Sequence, residues 1–310
     1  MKLSIVTTLY RSASHIHEFY ERATRAAAAF TADYEIVFVN DGSPDDSLER
    51  VLQLYDRDAH VRVVDLSRNF GHHKSMMTGL EHARGDLVFL VDVDLEEDPG
   101  WLGDFHGAMT RSGADVVYGV QATREGTALD RFTAALFYRM FNALLDNPIP
   151  ANILTARLMT RRYVASLVQH RDREVAFAAL GVIAGFKQVP INVRKGRRRN
   201  STYTIRHRIA VFVNAVTSFS SRPLVYIFYL GCVIILVSGT YGGILIWRAA
   251  RGQVGVPGWP SLIVSVWFLG GVTVFCIGVI GIYLSKVFTE TKDRPYTIVR
   301  ALHERTQEHT

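Results

Sequence analysis

Cysteine is scarce in this sequence and does not stand where it could do chemistry. The 310 residues include two cysteines, Cys232 and Cys276. Both lie inside strongly apolar segments, and neither has a partner at metal-ligand spacing. A disulfide framework and a cysteine-based zinc site are therefore excluded. We interpret both side chains as small hydrophobic residues.

Several other signals are missing as well. The sequence contains no internal repeat, no low-complexity linker and no G-x-G-x-x-G dinucleotide motif. Its first residues show no signal-peptide pattern, because Lys2–Leu9 leads directly into a strand pattern and Arg11 interrupts the apolar run. We therefore expect the N-terminal part to stay in the cytosol.

Charge is absent from two long segments, Leu224–Trp247 and Gln253–Ser285. Each is long enough to span a hydrocarbon core of about 30 Å. Tyrosine and tryptophan lie mostly toward the ends of these segments, as interfacial aromatic residues do. The sequence therefore predicts a hairpin of two transmembrane helices, whose glycines would permit close packing and also a homo-oligomer.

Positive charge is concentrated on either side of this hairpin. The net charge is +6 and the pI about 9.4, and the excess gathers in Arg194–Arg208 and after Lys286. This pattern favours an anionic membrane surface over nucleic acid as the partner. Because the loop between the spans carries only Arg248 and Arg251, the positive-inside rule predicts that both termini are cytosolic. In a bacterium the membrane would be the plasma or inner membrane.

Apolar residues recur at helical spacing just before the first span, at Ile205, Ile209, Phe212, Val216 and Phe219. Arg206 and Arg208 flank that face, which is typical of a helix lying in a membrane interface. A core-facing helix of a soluble domain would show the same stripe.

Four regions follow from these patterns. We expect a catalytic domain over residues 1–204, an amphipathic helix over 205–222, the transmembrane hairpin over 223–287 and a cytosolic tail over 288–310.

Short β-rich runs alternate with helical patterns in the first region. The predicted strands are Leu3–Leu9, Glu35–Asn40, Val61–Asp65, Leu87–Val91, Ala114–Tyr118 and Gln188–Val193. Helices are expected at Ala13–Phe30, after Ser43 as the N-cap, between the loop Ser67–His73 and Arg84, and from Pro99. The alternation predicts an α/β fold with a mostly parallel sheet and right-handed crossovers.

The strand Leu87–Val91 ends in a run of acids. Its continuous apolar character is typical of a strand buried on both faces, and open α/β sheets bind ligands at the carboxyl ends of such strands. In the D-x-D of Asp92 and Asp94, one carboxylate could face a ligand while the other holds a divalent cation shared with phosphate oxygens. A solvated acidic loop before the helix at Pro99 would contain the same residues.

Together these segments resemble the family 2 glycosyltransferases that act on polyprenyl phosphates, which include dolichyl-phosphate mannose synthase and bacterial polyprenyl-phosphate sugar transferases. The resemblance is carried by LSIVTTLY at 3–10, VNDGSPDDS at 39–47, LSRNFGHHKSMMTGLEHARGDLVFLVDVDLEEDP at 66–99, ARLMTRRYV at 156–164 and VTSFSSRPL at 216–224. It implies a GT-A, Rossmann-like fold and inverting transfer of a sugar from a nucleotide sugar to a polyprenyl phosphate. UDP-hexose is the default donor.

The resemblance also implies roles for individual residues. Asp41 would contact the base or ribose, and Asp92 and Asp94 would form the catalytic pair that meets the nucleotide and a metal-bound diphosphate, with Mg²⁺ or Mn²⁺ as cofactor. Further donor contacts are implied at Tyr10, Arg68, Asn69, His72, Arg124 and Arg131. Structural roles stay open for several of these, because Asp41 could be a turn residue, His72 could be structural and the last two arginines could be solvated.

The chain departs from the family pattern at three places. The usual V-Y-N-E reads Leu9–Ser12 here and lacks the acid, and the lysine of an S-K-Y element is Thr202. The aspartate of D-F-R-L-M, sometimes proposed as the catalytic base, is Thr155. A phosphate monoester has a second pKa of about 6 and is largely dianionic at neutral pH, so a lipid phosphate could attack without a base.

We expect the acceptor phosphate to bind where the catalytic domain meets the membrane. The candidates are Arg194, Arg197, Arg198, Arg199, Arg206 and Arg208. Arginine suits this task because its planar fork can bind two phosphate oxygens and stays charged. General attraction to anionic lipid, worth about 1 kcal/mol per residue, is the alternative.

Two other functions remain open from the sequence. A polysaccharide synthase of the same fold would carry a Q-x-x-R-W motif and more spans than the two found here. A catalytically inactive membrane scaffold is opposed by the intact Asp41, Asp92 and Asp94.

Overall fold

The structure, a computed structural model, describes residues 1–121, 152–170, 177–194, 222–251, 258–292 and 294–305. These residues form two compact units. The first contains the described residues up to 194 together with 294–305, and the second contains those from 222 to 292. The N-terminal domain is therefore completed by a segment that follows the last apolar helix in sequence.

The first unit is built on one eight-stranded sheet. Its strands are β1 (Leu3–Leu9), β2 (Tyr34–Asn40), β3 (Val61–Leu66), β4 (Leu87–Leu90), β5 (Val116–Gln121), β6 (Ile153–Thr160), β7 (Gln188–Val193) and β8 (Val299–His303). The spatial order is β7-β5-β6-β4-β1-β2-β3-β8. The first four strands are mutually parallel and β5 is parallel to β7, whereas β6 and β8 are antiparallel to their neighbours. The predicted α/β fold with a parallel-dominant sheet is confirmed, and β6 and β8 are not among the predicted strands.

Helices follow most of the strands. They are α1 (Ile16–Phe30), α2 (Ser47–Arg57), α3 (His72–His82), α4 (Leu102–Ser112), α5 (Arg161–Leu167) and α6 (Phe177–Ile183), with a 3₁₀ turn at Pro99–Trp101. The second unit consists of α7 (Arg222–Ala250) and α8 (Trp259–Glu290).

The central strands are buried on both faces, so their residues alternate between two cores. In β2, Ile36 and Phe38 belong to the core under α1, α2 and α4, while Val37 and Val39 belong to the core under α3 and α5. All four side chains are fully buried. Burial on both faces explains why these strands read as continuous apolar runs rather than as an alternating pattern.

Two local predictions near the N-terminus are wrong. Ser43 does not cap a helix, because α2 begins at Ser47 and its N-cap is Asp46. Instead, Ser43 Oγ accepts the N–H of Arg11 at 2.7 Å and donates to Asp45 at 2.5 Å. The next helix begins at His72, inside the segment predicted to be a loop.

The segment after the last apolar helix is not simply a tail. Val299–His303 pairs antiparallel with β3 and forms the edge of the sheet. Two side-chain contacts add to this pairing, from Thr297 to Thr78 at 2.7 Å and from Arg300 to Asp65 at 2.7 Å. Residues 294–305 are therefore an integral part of the first unit.

The two long helices carry exposed apolar side chains along their length. Within them, Arg222–Tyr241 and Ser265–Glu290 have mean hydropathies of 2.0 and 2.1 and are long enough to cross a membrane. Length and composition agree with the predicted hairpin. Nearly all of the predicted interfacial helix, residues 205–221, lies outside the described residues.

Candidate functional site

A cleft opens at the carboxyl ends of β1, β2 and β4. Its volume is about 320 Å³, and it is lined by Thr8, Leu9, Tyr10, Ser12, Asp41, Asn69, His72, Asp92, Val93 and Asp94. Parallel strands bring their carboxyl ends to the same edge of a sheet, which is where open α/β folds bind ligands. The acidic run after β4 and the turn after β2 therefore meet at one site.

Asp41 joins the loop after β2 to the loop after β3 at this cleft. Its carboxylate accepts the N–H of Phe70 at 2.7 Å and the N–H of Gly71 at 3.0 Å, one on each oxygen. The residue is 2 % exposed. Each oxygen keeps a second lone pair, so the same carboxylate can fix the loop and still accept a hydroxyl or amide of a ligand.

Gly42 allows these loops to come together. Its φ is +59°, and a Cβ added there would lie 2.4 Å from the carbonyl carbon of Arg68 and 2.5 Å from the nitrogen of Asn69. No side chain fits in that space, and L-residues disfavour the left-handed conformation. The turn that the sequence places after β2 is therefore also a packing contact with the loop after β3.

His72 lies between the strand end of β1 and the acidic run. Its Nδ1 is 3.0 Å from Thr8 Oγ1 and its Nε2 is 3.3 Å from Asp92 Oδ1. Burial acts to lower the pKa of His72, but the hydrogen bond and charge of Asp92, with the charges of Glu97 and Asp41, outweigh it and raise this pKa above 6.5. The His72 side chain is 48 % exposed, so it also faces the cleft.

Asp92 and Asp94 lie on either side of Val93, just after the carboxyl end of β4. The Asp92 side chain is 21 % exposed, and Asp94 Oδ1 accepts the N–H of Glu96 at 3.0 Å. Directly after Asp94 the backbone passes through Leu95 with φ 62°, a conformation that costs an L-residue about 1–2 kcal/mol. Strain of this kind persists where the surrounding structure fixes it, and it is concentrated at functional sites.

The carboxylates of Asp92 and Asp94 suit a cation that is also bound by a substrate better than a cation that is held by protein ligands alone. Across the part of the chain that the structure describes, no three His, Cys, Asp or Glu side chains come together as metal ligands. Mg²⁺ and Mn²⁺ are commonly held by one or two carboxylates plus substrate phosphates and water. Asp92 and Asp94 match that arrangement, in which a diphosphate supplies the remaining oxygens.

Two buried charged residues near Asp92 and His72 were not predicted as site residues. Arg157 on β6 is 5 % exposed, and its guanidinium donates to the carbonyl oxygens of Leu154 and Thr155 at 3.0 Å. Burial lowers its pKa, while the charges of Glu97 and Asp92 act in the opposite direction. Glu97 is 1 % exposed and accepts the N–H of Thr155 at 3.0 Å. Arg157 stands inside a motif that carries the resemblance, but arginine and glutamate are rarely buried, so composition gave no signal for either residue.

The structure brings together six of the predicted residues, Tyr10, Asp41, Asn69, His72, Asp92 and Asp94. Arg68 does not line the cleft. Its guanidinium lies over the ring of Phe70, 4.1 Å from the centroid, and donates to the carbonyl oxygen of Asn69. Arg124 and Arg131 lie outside the described residues.

Of the predicted acceptor arginines, only Arg194 lies within the described residues. It is exposed and follows β7, whose carboxyl end faces the same edge of the sheet as that of β4. Two strands separate β7 from β4, which corresponds to about 14 Å at the usual strand spacing. Arg197, Arg198, Arg199, Arg206 and Arg208 lie outside the described ranges.

Comparison with known proteins matches this chain to a family model and to relatives that are named as glycosyltransferases. Residues 4–168 match the model of glycosyl transferase family 2. A protein of Mycobacterium tuberculosis named among the putative glycosyltransferases is 54 % identical over 98 % of this chain and 89 % of its own length. The bactoprenol glucosyl transferase of Shigella phage SfII is 32 % identical over 98 % of this chain and 99 % of its own length. Among solved structures, Staphylococcus aureus TarS 1-349 in complex with UDP-GlcNAc is 17 % identical, with a TM-score of 0.47 over 70 % of this chain and 66 % of its own. That likeness is too low to bear on the ligand.

Proposed function

Because the chain belongs to glycosyl transferase family 2, we propose that it transfers a sugar from a nucleotide sugar to a membrane polyprenyl phosphate. The products are a polyprenyl-phosphate sugar and a nucleoside diphosphate. UDP-hexose is the proposed donor. The observation that carries the proposal is the meeting of Asp41 with Asp92 and Asp94 in one cleft at the carboxyl edge of the sheet.

The shape and charge of the cleft support a nucleotide-sugar donor. Asp41 is a buried residue of the cleft whose carboxylate can accept from a ribose or base, and Tyr10, which is 45 % exposed, offers an aromatic ring. Asp92 and Asp94 also line the cleft and would hold Mg²⁺ or Mn²⁺, which would neutralise the charge that develops on the leaving diphosphate. Acids alone would repel a diphosphate, so this part of the proposal depends on the cation.

Three features support a polyprenyl phosphate as the acceptor. Relatives that are similar over nearly the whole chain are named bactoprenol glucosyl transferases. Two apolar helices are long enough to cross a membrane, and the arginine-rich segment Arg194–Arg208 comes shortly before the first of them in sequence. We therefore propose a membrane protein whose catalytic domain and termini are cytosolic.

The proposed reaction is a single displacement. A phosphate oxygen of the lipid attacks the anomeric carbon, the bond from that carbon to the diphosphate oxygen breaks, and the configuration inverts. A dianionic phosphate has no proton to lose, so the threonine at Thr155 is compatible with the reaction. The role of this chain is then to hold both substrates in line rather than to supply a base.

The test uses the full-length protein in detergent with undecaprenyl phosphate and a panel of nucleotide hexoses, each with Mn²⁺ and with EDTA. We expect one donor to give a lipid-linked sugar in a cation-dependent reaction. Transfer to a soluble sugar alcohol at a comparable rate would contradict the proposed acceptor. Donor binding without any transfer would favour a scaffold.

A further inference from the structure

Arg300 on β8 is connected to the donor side of the cleft through two buried side chains. Its Nε and Nη2 each lie 2.7 Å from Asp65 Oδ2. The other oxygen of Asp65 accepts from Asn40 Nδ2 at 2.8 Å, and Asn40 Oδ1 accepts the N–H of Ser43 at 3.2 Å. Asp65 is 3 % and Asn40 1 % exposed, so water does not compete for the contact between these two side chains, whereas the Arg300 side chain is 56 % exposed.

The chemistry of each group fixes the orientation of the next. A carboxylate only accepts, so Asp65 must meet the amino end of the Asn40 amide, and the oxygen end is left for the N–H of Ser43. This network assigns the amide orientation. The Oγ of Ser43 in turn accepts the N–H of Arg11. We call the series Arg300, Asp65, Asn40 and Ser43 the relay. Its last member, Ser43, fixes the backbone of the residues beside Asp41 and Tyr10, both of which line the cleft.

Removing the guanidinium of Arg300 would disturb these hydrogen bonds, beginning with those to Asp65. Asp65 Oδ2 would lose both of its contacts with Arg300, so the Asp65 carboxylate would no longer be held on that side. A carboxylate that can turn no longer fixes the amino end of the Asn40 amide. The oxygen end of that amide then holds the N–H of Ser43 less firmly.

We propose that Arg300 is a positioning residue for the nucleotide-sugar site. Arg300 is not among the residues that line the cleft and acts through Asp65 and Asn40. The strand that follows the last membrane-crossing segment in sequence thereby becomes part of the donor site. The inference rests on the proposed function for the identity of the ligand, but not for the order of the loop.

The experiment compares Arg300→Ala and Arg300→Lys with Arg305→Ala in the full-length protein. Arg305 anchors the same segment through the carbonyl oxygens of Tyr55 and Asp56. Both nitrogens of Arg300 meet a single oxygen of Asp65, so one ammonium can replace them and lysine should restore function. Two readouts are needed, hydrogen exchange of the peptide covering residues 41–47 without ligand, and the steady-state constants for donor and acceptor.

We expect Arg300→Ala to speed exchange in that peptide and to raise the donor KM about ten-fold, the effect of one charge-assisted hydrogen bond. The acceptor KM and the Tm should match those of Arg305→Ala, and Arg300→Lys should lie close to the wild type. Equal effects of Arg300→Ala and Arg305→Ala on exchange and donor KM would overturn the proposal. A Tm loss confined to Arg300→Ala, with donor KM unchanged, would also overturn it. If the wild type transfers no sugar at all, the proposed function fails while the exchange data still decide whether the relay exists.

Discussion

The N–H of Thr155 donates to Glu97 Oε1 across 3.0 Å, which ties the end of the acidic run to the start of β6. Thr155 is thus held next to Glu97, which lies three residues after Asp94, and it occupies the position of the aspartate in the D-F-R-L-M pattern that the chain resembles. Its backbone is held by Glu97, which is itself too deeply buried to reach a substrate. The backbone of Thr155 is therefore fixed in position, but its side chain cannot act as a general base in the way that an aspartate could.

The first prediction follows from that position. Thr155→Val removes the hydroxyl and keeps the backbone bond to Glu97, so we expect kcat within about two-fold of the wild type if the acceptor needs no base. The rate of the wild type should fall below about pH 6, where the lipid phosphate takes up a proton. A pH–rate profile with polyprenyl phosphate measures both. A loss of more than about a hundred-fold in Thr155→Val would show that the hydroxyl takes part in proton transfer.

The second prediction concerns the carboxylate of Asp94, just after the carboxyl end of β4. Asp94→Asn keeps an oxygen that can accept the N–H of Glu96 but removes the charge available to a cation. We expect kcat to fall by about a hundred-fold or more, with the Tm unchanged. Asp104→Asn, an exposed aspartate on α4, is the matched control. Titration of Mn²⁺ in the presence of nucleoside diphosphate should show weaker binding only in the first variant, and near-normal turnover by it would exclude the metal role.

The third prediction tests the close approach at Gly42. An alanine there must adopt positive φ at a cost of roughly 1–2 kcal/mol and must push the backbone of Arg68 away. We expect a lower Tm and a donor affinity reduced by about ten-fold or more, because Asp41 and the loop it holds are displaced. Gly103→Ala is the control, since no atom lies within 4 Å of the added Cβ and Gly103 is inside α4. That change should stabilise the protein by about 0.5–1 kcal/mol, and equal losses in both variants would contradict the packing argument.

Local patterns predicted the elements that are defined by local interactions. The bounds of β1 and β7 agree with the predicted strands, and the acidic run after β4 is at the cleft. These features depend on apolar runs and turn residues that are close together in sequence. The resemblance implied that Asp41 and Asp92 belong to one site, and the structure explains their meeting, because parallel strands align their carboxyl ends.

The features that sequence did not predict depend on partners far away in the chain. β8 has five residues, and its partner β3 precedes it by more than two hundred positions, so nothing near Val299 indicates a strand. In β6 the buried Arg157 interrupts the apolar pattern, because a charged residue normally marks a surface. The relay from Arg300 to Asn40 combines both difficulties, since its middle member is a buried aspartate.

The last prediction tests how the C-terminal segment is attached to the sheet. Glu304 accepts from Arg62 Nη2 at 2.6 Å and from Arg84 Nη2 at 2.8 Å. Burial acts to raise the pKa of Glu304, but the hydrogen bond and charge of Arg62, with the contribution of Arg84, outweigh it and leave this pKa below 4.5. A carboxyl with a depressed folded pKa stabilises the protein above its unfolded pKa, and this stability is lost as the pH falls through the folded value.

Attachment of residues 294–305 should therefore weaken below about pH 4.5, as Glu304 becomes protonated. Hydrogen exchange of the β8 peptide between about pH 3 and 6, corrected for intrinsic rates, measures this effect. Glu304→Gln should show the weakened attachment at every pH and a flatter acid dependence, because it has no carboxyl to titrate there. Glu49→Gln, an exposed glutamate on α2, should keep the profile of the wild type. If Glu304→Gln retained the acid dependence of the wild type, another group would have to hold the segment, and the two arginines would bind Glu304 without stabilising β8.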